Sequence, residues 1–112
     1  MKRKSEERIK DILHNIEQIL KASKNKTLTD FENDFILVAA VIRWLEVIGE
    51  ASKYVSKDIK NKYSDIPWKE MAGMRDVAIH DYADIKIDRI FYTVKKDIPP
   101  LKEKMEKIIL QS

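Results

Sequence analysis

Fourteen residues near the middle of the sequence, Phe35 to Ile48, read Phe-Ile-Leu-Val-Ala-Ala-Val-Ile-Arg-Trp-Leu-Glu-Val-Ile. Wound as an α-helix, this run is apolar on nearly its whole circumference, broken only by Arg43 and Glu46. Such a helix needs cover on more than one side. It is too short to cross a membrane, which takes roughly 18 or more apolar residues. The run therefore predicts a core helix with the rest of the chain packed around it. A chain of 112 residues has little to spare for covering every face. A homodimer formed through this helix is the favoured expectation, and a simple central core helix is the alternative.

The flanking segments also read as helices. Ile9, Ile12, Leu13, Ile16, Ile19 and Leu20 fall at steps of three and four, one apolar stripe on a helix from about Glu6 to Ala22. Ser23-Lys24-Asn25-Lys26 breaks the pattern as a loop. Thr29-Asp30-Phe31-Glu32 fits a capping box that starts the central segment. Ser56 to Asp65 is looser, with a short helix around Asp58 to Lys62. Pro67 suits a first helical turn and opens a helix running to near His80. From Ile85 onward an apolar stripe resumes through Ile109, but Pro99-Pro100 cannot sit unperturbed within it, so a kink or two shorter helices are expected. Only two glycines occur, and no stretch alternates as a strand does. The fold expected is all-α: a small antiparallel bundle of four to five main helices, with residues 1–112 as one domain.

Composition narrows the function. With 44% hydrophobic and 37% charged residues, the chain is not of the disordered class. It has no cysteine, which excludes disulfides, thiolate zinc sites and a thiol nucleophile. Its two histidines, His14 and His80, are too few for a His-rich metal cage. The N-terminal residues are charged, with no apolar stretch behind them, so a cytoplasmic protein without membrane contact is expected. The net charge of +3 comes from 17 lysines and 5 arginines set against 19 acids. It permits contact with a polyanion without establishing it.

The segment Met74-Arg75-Asp76-Val77-Ala78-Ile79-His80-Asp81-Tyr82 concentrates the chemistry. On a helix Asp76 and His80 share a face, as do Arg75 and Tyr82. Arg75 and His80 are about 140° apart around the axis, so they meet only if the arginine curls or a second copy completes the site. Cleaving RNA requires a proton taken from the ribose 2′-hydroxyl and one given to the leaving 5′-oxygen, roles that histidine fills near neutrality. An arginine fork can hold the phosphate oxygens as charge builds on them. Asp76 can fix the imidazole tautomer. By residue chemistry alone, ordinary ion pairs and a polar helix end account for the same residues, and that bland reading carries more weight.

The wider pattern changes the balance. Arg75, four residues, His80, one residue and Tyr82 resembles the signature of HepT-like toxins in the HEPN superfamily. Arg43 to Ala51 resembles that family's second-helix motif. Ile66-Pro67-Trp68 and Ala72-Gly73-Met74-Arg75 resemble its approach to the signature, and Thr93-Val94 through Asp97-Ile98-Pro99-Pro100-Leu101 its final segment. The resemblance implies a dimerising helical bundle that cleaves RNA without metal or cofactor, with Arg75 and His80 as principal catalytic positions. It also implies a nucleotidyltransferase antitoxin as partner, able to attach AMP to Tyr82, where added negative charge would repel RNA. The RNA would be a tRNA or an mRNA. Arg43 and Asp81 are supporting candidates. Asp76 departs from the Asn common in the family; its charge can orient His80 but opposes phosphate binding. Ala83-Asp84-Ile85 lacks the aromatic-glycine pair often found there. The competing function is a non-catalytic module that binds RNA, a nucleotide or the nucleotidyltransferase.

Other residues have plainer expectations. His14 lies off its stripe and should be solvated. Trp44 and Trp68 suit the core or an interface. Glu46 and Glu50 could hold a cation, but pairing with Arg43 or a lysine is favoured. Gly49 should permit a close helix approach, and Gly73 a bend or tight packing.

Overall fold

In the computed structural model, residues 3–84 and 86–111 are described, with side chains except those of residues 3, 77 and 79–84. The first helix, α1 (Arg3–Ser23), forms where the stripe predicts it. Ile9, Ile12, Ile16 and Ile19 are all fully buried, and His14 is exposed as expected. The helix ends where the Ser23 hydroxyl donates to the Ile19 carbonyl at 2.7 Å. Asn25 then takes φ of 61°, the left-handed region that asparagine tolerates better than most residues.

The next start differs from the expectation. The short helix α2 (Leu28–Asn33) is capped by Thr27 and Asp30, not by Thr29 and Glu32. Asp30 Oδ2 accepts from the Thr27 amide at 2.8 Å, and the Thr27 hydroxyl accepts from the Asp30 amide at 3.2 Å. Nor does the segment run on unbroken. It stops at Asp34, whose carboxylate accepts from the Leu37 amide at 3.0 Å and so caps a separate helix, α3 (Phe35–Lys53). On α3, Val41, Leu45 and Ile48 are fully buried, while Phe35 and Ile36 stay 64% and 83% exposed at its beginning. The helix is covered on two sides, as its apolar circumference demands, but not at that end.

Ser56 caps α4 (Lys57–Lys62). Its amide donates to the buried Ser5 hydroxyl at 3.2 Å, which ties this stretch back to α1. Helix α5 (Trp68–Asp84) follows Pro67 and runs four residues past His80. Trp68 is buried, and its indole donates to the Tyr63 carbonyl at 3.0 Å.

The C-terminal stripe forms α6 (Ile87–Tyr92) and α7 (Ile98–Gln111), joined by a π-helical turn over Thr93–Asp97. The expected disruption is thus one wide turn placed before the prolines. There the Ile98 amide bonds to the Thr93 carbonyl five residues back. Pro99 and Pro100 then occupy the first turn of α7, where no amide donor is needed.

Helix α3 packs against both α1 and α5, and α7 packs against α1. All the regular elements among the described residues are helical, and four of them, counting α6 and α7 as one rod, form the body of the bundle. The all-α expectation is met. No helix among the described residues is long and apolar enough to cross a membrane.

Candidate active site

The close approach of α3 to α5 at Gly49 has a simple cause. A Cβ built on Gly49 would stand 2.4 Å from the Arg75 amide nitrogen and 2.7 Å from the Arg75 Cβ. Real Cβ atoms do not come that close, so the crossing needs glycine. Gly49 thus has the role its sequence context suggested. At Gly73 a Cβ would meet nothing within 4 Å, so of its two expected roles tight packing is not the one.

The residue after Gly49 reaches the same arginine. Glu50 Oε2 lies 3.1 Å from Arg75 Nε, with the two side chains 43% and 44% exposed. That oxygen is itself shut off from solvent and makes no aligned hydrogen bond. The two facts are compatible: the Nε–H does not point along the short approach, so charge and not hydrogen-bond geometry holds the pair. Sequence reasoning paired Glu50 with Arg43 or a lysine. Instead Arg43 Nη1 pairs with Glu46 Oε1 at 2.6 Å, leaving Glu50 for Arg75.

Arg75 stands between two recesses. One, of about 320 Å³, is lined by Arg8, Arg43, Arg75, Asp11, Glu46 and Glu50 among others. The other, of about 370 Å³, is lined by Gly49, Lys53, Lys69, Gly73, Arg75 and Asp76. The structure therefore brings Arg43 and Arg75 together from different helices, and sets Asp76, which is exposed, on the far side of Arg75. His80, Asp81 and Tyr82 are on α5, with backbone continuous from Arg75; their side chains lie outside the described residues. A more apolar recess of about 390 Å³, floored by Leu45, Met71, Met74 and Leu101, holds none of the residues singled out for chemistry.

One residue of this region escaped the sequence reading. Arg8 carried no signal, because only the packing of α1 against α3 brings it to the groove.

The all-α bundle is of the HEPN-like class. The chain belongs to the HepT-like ribonuclease family: residues 12–108 match the family model described as Ribonuclease HepT-like. The protein of Thermococcus cleftensis named "Probable ribonuclease HepT" is 44% identical over 96% of this chain and 98% of its own length. A protein of Methanocaldococcus jannaschii named "Putative RNase" is 46% identical over 88% of this chain and 82% of its own. Another so named, from Caldanaerobacter subterraneus, is 39% identical over 90% of each. No solved structure matches the chain.

Proposed function

We propose that this chain is a metal-independent RNA endonuclease toxin, working as a homodimer and restrained by a nucleotidyltransferase antitoxin that attaches AMP to Tyr82. The observation that carries the reading is the exposed arginine fork of Arg75, held at the α3–α5 crossing on the helix that also carries His80.

In this mechanism the imidazole of His80 takes the proton of a ribose 2′-hydroxyl as its oxygen attacks the adjacent phosphorus. The bond to the 5′-oxygen breaks, that oxygen takes a proton from the imidazolium so formed, and a 2′,3′-cyclic phosphate remains. Arg75 binds the phosphate oxygens as charge gathers on them. Because Glu50 meets the guanidinium at Nε, the terminal nitrogens are the ones to offer. Asp76, one turn before His80, fixes the imidazole tautomer. Arg43 and Asp81 support the site. Arg75 and His80 diverge around α5, so two copies together supply a complete pair. The exposed Phe35 and Ile36 at the start of α3 support a dimer face there. AMP on Tyr82 would lie two residues from His80 and repel incoming RNA.

The test is to incubate purified chain, with Tyr82 shown unmodified by intact mass, with tRNA and mixed RNA in EDTA beside His80→Ala. Cleavage that leaves 2′,3′-cyclic ends and is lost in the variant supports the reading. A folded, unmodified dimer that cuts nothing turns it toward a module that binds RNA or the nucleotidyltransferase without catalysis.

A further inference from the structure

Lysine is the ordinary cation of this chain: 17 lysines stand against 5 arginines. The groove of about 320 Å³ reverses that preference. Arg8 of α1, Arg43 of α3 and Arg75 of α5 all line it, and among the described residues no lysine does. Lysine serves well as a solvated point charge. Arginine adds a planar fork that matches two oxygens of a phosphate.

Each of the three forks is braced. Arg43 is held by Glu46 at 2.6 Å and Arg75 by Glu50 at 3.1 Å. The guanidinium carbon of Arg8 lies 5.4 Å from the centroid of the Tyr54 ring, and Tyr54 is 57% exposed. Bracing removes rotamer freedom before a ligand arrives and so lowers the cost of binding it. The braces also set the charge. Three arginines face three carboxylates, Asp11, Glu46 and Glu50, so the groove has no large positive excess with which to attract any polyanion. What it offers is fork geometry.

We propose that this groove is a track for single-stranded RNA, in which Arg8 and Arg43 bind phosphates flanking the one held by Arg75. The strand runs from α5 across α3 to α1. At the α1 end the face of the exposed Tyr54 ring opposite Arg8 gives a base a flat surface to stack on, as aromatic side chains do in single-strand binders. The inference rests on the ribonuclease reading for its ligand but not for its residues, since Arg8 has no part in the cleavage chemistry.

The experiment measures binding of a short fluorescein-labelled single-stranded RNA to the His80→Ala chain in EDTA, by anisotropy across a salt series. Arg8→Ala is expected to weaken binding about tenfold, the worth of one charged hydrogen-bonded contact. It should also lower the slope of log K against log salt by about 0.7, one phosphate contact fewer. Arg43→Ala should do the same. Arg8→Lys should keep the slope and still bind more weakly, because charge is retained and the fork is lost. Tyr54→Ala should lower affinity with the slope unchanged.

An unchanged affinity in Arg8→Ala overturns the proposal. So does a loss of affinity with the slope unchanged; if that variant also falls to monomer, the groove is a contact between copies. Circular dichroism confirms folding, and should Arg8→Ala fail to fold, Arg8→Lys and Arg43→Ala decide. If the slope behaves as expected but the native chain never cuts RNA, the catalytic reading fails and the track stands. If native and His80→Ala chains bind no RNA at all, the track fails.

Discussion

Glu50 of α3 sets its Oε2 3.1 Å from Nε of Arg75 on α5, an approach between side chains 25 residues apart in sequence. The contact engages one edge of the guanidinium and leaves its terminal nitrogens for another anion. Pairs this exposed stabilise a fold by only about 0–1 kcal/mol, so the worth of this one lies in orientation. Glu50→Ala should shift the melting temperature by no more than a few degrees. It should lower the rate of RNA cleavage by roughly tenfold or more, since small displacements of a positioning group can cost up to about a hundredfold. In an Arg75→Ala background the same change should have no further effect. Initial rates in EDTA beside thermal melts check this; a single variant that cuts at the native rate refutes it.

Gly49→Ala should be costly for a reason visible in one distance, the 2.4 Å between a new Cβ and the Arg75 amide. The helices must part, at a cost of about 1–3 kcal/mol for overpacking. Urea denaturation should show the loss, and Gly73→Ala, with open space around it, should show none or a slight gain.

Phe31→Ala tests the opposite end. The fully buried ring meets Phe91 edge-on with centroids 5.1 Å apart, tying α2 to α6. Its removal should cost about 3–5 kcal/mol while leaving the cleavage rate of the folded fraction unchanged. A large drop in that rate would mean that α2 bears on the site.

The α2 cap should be acid-sensitive. The Thr27 amide and hydroxyl hydrogen-bond the Asp30 carboxylate and hold it below its usual value of 3.8. A carboxyl lowered in the fold stabilises it above the unfolded value and loses that contribution as pH falls through the folded one. Urea midpoints should therefore drop below about pH 4 by an increment that Asp30→Asn lacks. Equal acid sensitivity in both proteins would count against the cap.

Much of the bundle was legible because steps of three and four report burial directly, as the four isoleucines of α1 show. The α2 start was misread because Thr27…Asp30 and Thr29…Glu32 both have capping-box spacing. Glutamate is the usual partner, but here the shorter aspartate closes the box two residues earlier. Asp34, which the apolar spacing does not single out, is a cap. The prolines announced a disruption but not its form, since the wide turn lies before them, where the Ile98 amide reaches the Thr93 carbonyl. In the candidate site, Arg75 and the histidine spacing could be read from one helix. Glu50 with Arg75 and Arg8 with Arg43 could not, because each pair depends on how far one helix slides along another.

The tight crossing at Gly49 also has a mechanical meaning. Helices α3 and α5 pack along an extended seam, and at Gly49 nothing but hydrogen separates one backbone from the other. The main chain of Arg75 therefore rests on a second main chain and not on a layer of side chains that could repack. A side chain rooted on such a footing starts from a fixed Cα, so the only freedom left to its charged end lies in its own torsions.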